Sequence, residues 1–120
     1  MVIYGSDDAF LKLAHVSIFE TRQTEFAKEV PSAPEGTPRY GNTVVGPPGD
    51  ETWLRIVKST RAGRQLFTAY TRQDDNPWVR GGTWTHNRLG DNVRIGLVSM
   101  GGPGSFTAKF DHVRAWALKR

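Results

Sequence analysis

Thr52-Trp53-Leu54-Arg55-Ile56-Val57-Lys58 and, after a break at residues 59–64, Leu66-Phe67-Thr68-Ala69-Tyr70-Thr71-Arg72 decide how this chain is read. A second break at residues 73–76 leads to Pro77-Trp78-Val79-Arg80-Gly81-Gly82-Thr83-Trp84. Apolar and polar residues alternate with period two in both long runs, the pattern of strands with one face buried and the other wet. Leu54 and Ile56 share one face and Trp53 and Arg55 the other; Phe67 and Ala69 oppose Thr68, Tyr70 and Arg72. Ala62-Gly63 in the first break suits a hairpin turn. A two-stranded ribbon is marginal by itself, so the flanking segments are expected to extend this sheet.

Outward from the hairpin, the segments read as short strands between turns. Val2 to Tyr4 ends a buried strand and residues 5–8 make a turn, favoured by glycine and aspartate. Ala9 to Ala14 alternates about Leu11 and Leu13, and Val16 to Phe19 reads as a separate strand. Thr21 to Glu29 has no apolar stripe at helical spacing and reads as extended, with Phe26 as its buried anchor. Residues 31–42, with three prolines and two glycines, form a long loop. Thr43 to Val45 is a short strand, and residues 85–92 are a loop turning at Gly90-Asp91. Val93 to Val98 is a strand with Val93, Ile95 and Leu97 on one face. Phe106 to Leu118 is the expected last strand, and its apolar phase slips near Asp111-His112, as at a β-bulge. No segment reads as a helix. Short strands with frequent turns predict an all-β, antiparallel sandwich or barrel.

The 120 residues suffice for one small domain, 1–120. The chain has no cysteine, which removes disulfides, zinc–thiolate sites and cysteine nucleophiles. No apolar run approaches the roughly 20 residues of a helical membrane span, and no membrane partner is expected. Strand-like sequence from Met1 onward, without a signal peptide, suggests a piece of something longer. The net charge of +4 is spread through the chain rather than gathered in runs, so nucleic acid is not the expected partner.

Taken together, Trp53-Leu54-Arg55-Ile56, Phe67-Thr68-Ala69-Tyr70-Thr71, Trp78, Ile95-Gly96-Leu97, Phe106-Thr107-Ala108 and Phe110-Asp111-His112-Val113 resemble the concanavalin A-like lectin/glucanase superfamily. They are most similar to the accessory jelly-roll domains of secreted bacterial carbohydrate-active enzymes. Val2-Ile3-Tyr4, Asp7-Asp8 and Leu11-Lys12-Leu13 fit the middle strands of that family. The resemblance implies a jelly-roll sandwich, an extracellular location within a larger protein, and a non-catalytic, lectin-like, carbohydrate-binding role with a polysaccharide or oligosaccharide as partner. The chain departs from the pattern in two places. Residues 73–77 stand where an Asp-Gly pair is common, and several strands would normally precede Val2. The second departure leaves open a fragment or a smaller sandwich, with open sheet edges that invite a homodimer.

For catalysis, the superfamily's alternating Glu-x-Asp-x-x-Glu run is absent, and Asp7-Asp8, Asp50-Glu51 and Asp74-Asp75 all fall in turns. No Gly-x-Ser-x-Gly elbow is present either. The chain is therefore not expected to be an enzyme. A glycoside hydrolase with an unrecognised carboxylate pair, and a structural, self-associating β-domain, stay as alternatives. Asp7, Asp8, Asp74, Asp75 and Asn76 are oxygen donors suited to a structural calcium ion, which the resemblance leaves open without a ligand set. Sugars present apolar C–H faces ringed by hydroxyls, so their sites combine aromatic platforms with hydrogen-bonding side chains. The wet face of the hairpin offers Trp53, Arg55, Tyr70 and Arg72. Lys12 is expected to join them across the sheet, and Trp78, Trp84 and His86 from the following segments.

Overall fold

The computed structural model describes residues 1–18, 20–101 and 107–119, and these contain eight strands and no helix. β1 (Val2–Ser6) and β2 (Ala9–Ile18) form a hairpin across Asp7-Asp8, with a bulge between Tyr4 and Ser6. The two predicted strands 9–14 and 16–19 are thus one strand as far as Ile18; Phe19 lies outside the described residues. Glu20, at φ 61°, leads into β3 (Thr21–Glu29), where Phe26 pairs with Leu13 on the core face. β4 (Tyr40–Val44) starts earlier than the sequence predicts, because pairing with β3 draws Tyr40, Gly41 and Asn42 out of the loop.

β5 (Thr52–Arg61) and β6 (Arg64–Gln73) are paired along their whole length, from Thr52 opposite Gln73 to Arg61 opposite Arg64. Their turn residues Ala62 and Gly63 have φ values of 49° and 73°. Positive φ at both centres is the type I′ geometry whose twist matches that of the flanking strands. β7 (Val79–Thr85) follows, with a bulge opposite Thr68 to Tyr70. β8 (Arg94–Gly96) is shorter than the predicted 93–98 and pairs with β1.

All pairs are antiparallel and fall into two sheets, β4-β3-β2-β1-β8 and β5-β6-β7. The sheets pack face to face, β5 against β2 and β7 against β3 and β4, in a sandwich-like arrangement. Ile3, Leu11, Leu13 and Phe26 from the larger sheet meet Phe67 and Ala69 from the smaller, with Val45 and Leu89 completing the core. Burial of each large side chain contributes roughly 1.5–3 kcal/mol. Val45 ties the sheets together: its N–H donates to the Thr24 carbonyl and its carbonyl accepts from the Thr71 hydroxyl at 2.9 Å. Gly81 lies against it, so close that a Cβ there would sit 2.6 Å from both Val45 methyls.

The last expected strand is not formed. Residues 107–119 carry no ladder, and Phe110, Val113, Trp116 and Leu118 are exposed; Phe106 lies outside the described residues. With no ladder there is no bulge at Asp111-His112, and the bulges sit in the β1–β2 and β6–β7 pairs instead. Period-two patterning describes what a strand would bury, but a strand also needs a neighbour for its N–H and C=O groups.

Candidate functional site: the outward face of the β5–β6 hairpin

Residues opposite each other in an antiparallel pair share a face. In the β5–β6 ladder, Ile56 pairs with Ala69 and Lys58 with Phe67 on the core face. Trp53 opposite Arg72, Arg55 opposite Tyr70 and Val57 opposite Thr68 therefore look outward. Trp53 is 45% exposed, and the His112 ring lies against it at 5.1 Å between centroids, the two ring planes 62° apart. The Arg55 guanidinium lies 3.9 Å from the centroid of the Trp78 ring, in cation–π contact. That stack restrains a long side chain whose planar fork then presents its donors in a fixed direction. Arg72 pairs with Asp75 at 3.2 Å, and the Thr68 and Thr83 hydroxyls meet at 2.7 Å on the same outward face. The face is thus an open platform of two tryptophans and one tyrosine among arginines and hydroxyls.

Three expected members are elsewhere. Lys12 pairs with Ala27 on the outward face of the five-stranded sheet, on the opposite side of the molecule from Trp53. Strand counting places Lys12 on the polar face of β2, but β2 and β5 belong to different sheets, whose outward faces point apart. Trp84 pairs with Phe67 and so faces inward, where its Nε1–H donates to the Phe26 carbonyl at 3.1 Å. The Lys28 ammonium lies 5.5 Å from that indole centroid. His86 is buried: its Nδ1 accepts from the Arg88 N–H, which leaves the proton on Nε2 to donate to the Glu29 carbonyl at 2.7 Å. Burial holds the His86 pKa below its ordinary value, with the Glu29 carbonyl pulling the other way. Both residues join the two sheets.

Sequence reasoning passed over a second polar group, around Glu25. This residue is on the outward face of β3, only 4% exposed, with Lys12 Nζ 2.9 Å from one carboxylate oxygen. Asn42 Nδ2 donates to the other oxygen at 3.1 Å, and the Tyr40 hydroxyl to the first at 3.4 Å. Burial raises the Tyr40 phenol above its ordinary pKa, partly offset by the Lys12 charge. Glu29 sits beside Arg39 at 3.7 Å, and Arg39 bridges to Asp8 at 3.0 Å. Lys12, Glu25 and Tyr40 belong to three successive strands, and the β2–β3–β4 register brings them together. Glu25 and Glu29 are four residues apart on one strand, so their α-carbons are about 13 Å from each other.

Among the described residues, no three His, Asp or Glu side chains lie together as metal ligands. Of the aspartates considered for calcium, Asp7 accepts from the Tyr4 hydroxyl, Asp8 pairs with Arg39 and Asp75 with Arg72. No helix among the described residues is long and apolar enough to cross a membrane. No family model, curated protein or solved structure matches this chain.

Proposed function

We propose that this chain is a non-catalytic, carbohydrate-binding module of the concanavalin A-like, jelly-roll type, acting within a secreted protein that works on polysaccharide. The observation that carries the reading is Trp53, half exposed on the outward face of β5, next to an Arg55 held over Trp78. An exposed indole offers the apolar C–H face of a pyranose a flat surface at low entropic cost. The stacked guanidinium supplies paired donors for neighbouring hydroxyls. Tyr70, opposite Arg55, adds a second ring and a hydroxyl. Arg72 and Trp78 border the platform; Lys12, Trp84 and His86 have structural roles and are left out of it.

The test is migration through native gels containing single polysaccharides, with and without calcium. Retardation by one glycan is expected for the wild type, and its loss in Trp53→Ala and Arg55→Ala. An interface anchor of this kind carries roughly 2 kcal/mol or more, about thirtyfold in affinity. No retardation of a demonstrably folded sample by any glycan would end the proposal.

A further inference from the structure

The two sheets differ in width by two strands, and the difference is one-sided. β5 lies over β2, and β7 over β3 and β4. Among the described residues no strand lies above the inner face of β8, at the far edge of the larger sheet. Ile95 pairs with the core residue Ile3 and therefore points the same way, yet it is 56% exposed. Leu54 and Ile56, on the core face of β5, are only half-buried. Beside β5 there is thus a lane in which the smaller sheet lacks a strand. Among the described residues no strand pairs with the outer edge of β5, and such an edge offers its backbone groups for pairing.

Residues 107–119 have the length and patterning for that lane. Ala108 and Phe110, then Val113 and Ala115, alternate with polar or small residues. In its own chain the segment passes β5 without joining it. His112 meets Trp53, and Leu118 lines a hollow of about 510 Å³ with Lys58, Ser59 and Thr60. Six residues onward in the segment thus correspond to six onward in β5, which is a parallel approach. Every ladder among the described residues is antiparallel, and parallel pairing is the weaker kind. A twofold-related chain can offer the same segment in the antiparallel sense.

The exposed apolar area is what such an interface needs. Val93, Ile95, Leu97, Met100, Phe110, Val113, Trp116 and Leu118 are each between 43% and 72% exposed. Together they expose on the order of 900 Å², about one partner's share of a standard interface. We propose that the occupant is a second copy of this chain: each copy lays residues 107–119 antiparallel along β5 of the other, in a closed, isologous dimer. The inference is independent of the glycan reading.

Sedimentation velocity on the full chain, at about 100 µM, a hundred times a micromolar Kd, tests it alongside hydrogen exchange over a dilution series. The expected result is twice the 13.4 kDa chain mass, with β5 amides more protected at high concentration. Phe110→Asp with Trp116→Asp should return a folded monomer and erase that concentration dependence. Both side chains are exposed in the single chain, so folding is not at stake, and circular dichroism checks it. A wild-type monomer at this concentration overturns the proposal, even with the segment protected along its own β5. A dimer that survives both substitutions, or that leaves β5 exchange unchanged, overturns it too.

Discussion

The outward faces of the two sheets are built from the same kinds of residue and end in opposite states. On the five-stranded sheet, Lys12, Glu25, Tyr40 and Asn42 satisfy one another, and the carboxylate at their centre is almost sealed from water. On the three-stranded sheet, Trp53, Arg55 and Tyr70 are in a row with an indole left half open. Polar groups that find partners inside the sheet become part of its stability. Aromatic and cationic groups without such partners remain available to something outside. The difference lies in strand register, because neighbouring strands decide which side chains come within hydrogen-bonding distance.

Substitutions on the closed face should therefore act on stability, and substitutions on the open face on binding. The largest effect expected is in the core beneath both faces: Phe26→Ala should cost about 3–5 kcal/mol in urea unfolding, since the side chain is fully buried. Glu25→Ala should follow at about 3 kcal/mol, because it strands the Lys12 charge in a largely buried place. A double-mutant cycle with Lys12→Met should show strong coupling, and additive losses would break the closed-face account. Gly81→Ala drives a methyl into Val45 where the sheets are joined, and should cost about 1–3 kcal/mol. Trp53→Ala, on the open face, should change stability by less than about 0.5 kcal/mol while removing glycan retardation. A large stability loss there would make Trp53 a structural residue and undo the comparison.

His86 sharpens the contrast through pH. Its native pKa is lowered, chiefly by burial, so the native state holds the proton less strongly than the unfolded chain. An unfolded histidine titrates near 6.5. The His86 contribution is therefore complete above about that pH and is lost as the pH falls below it, toward the lowered native value. Unfolding free energy measured between neutral and mildly acidic pH should decline for the wild type, and a His86→Gln variant should lose that part of the slope. An unchanged slope would mean that other groups carry it.

Much of the fold could be read in the chain. The β5–β6 hairpin was legible because two signals agree there: alternation on both arms and Ala62-Gly63 at the turn. Phe26 was legible as an anchor, the sole large apolar residue in its segment. The candidate site was half legible. Trp53, Arg55, Tyr70 and Arg72 belong to one hairpin, so period-two counting places them on one face without knowledge of the rest. Trp84 and His86 failed because both are polar-tipped residues whose hydrogen bonds are satisfied inside, by the Phe26 and Glu29 carbonyls. Nothing local distinguishes a buried indole with an internal partner from an exposed one. Residues 107–119 failed for a different reason: patterning is a property of one strand, and pairing is a property of two.

Alternation, turn chemistry and composition in the sequence alone thus determined an antiparallel, all-β chain, the hairpin and the residues that share its outer face. These are short-range features, expressed within a strand or across a two-residue turn. Tertiary structure alone decided which sheet each strand joins, and with it that Lys12 faces away from Trp53 and pairs with Glu25. It also decided that Trp84 and His86 lock the sheets together, and that among the described residues the smaller sheet ends at β5. Those outcomes depend on register and sheet membership between strands up to several dozen residues apart, and the side-chain period of two is the same whichever neighbour a strand finds.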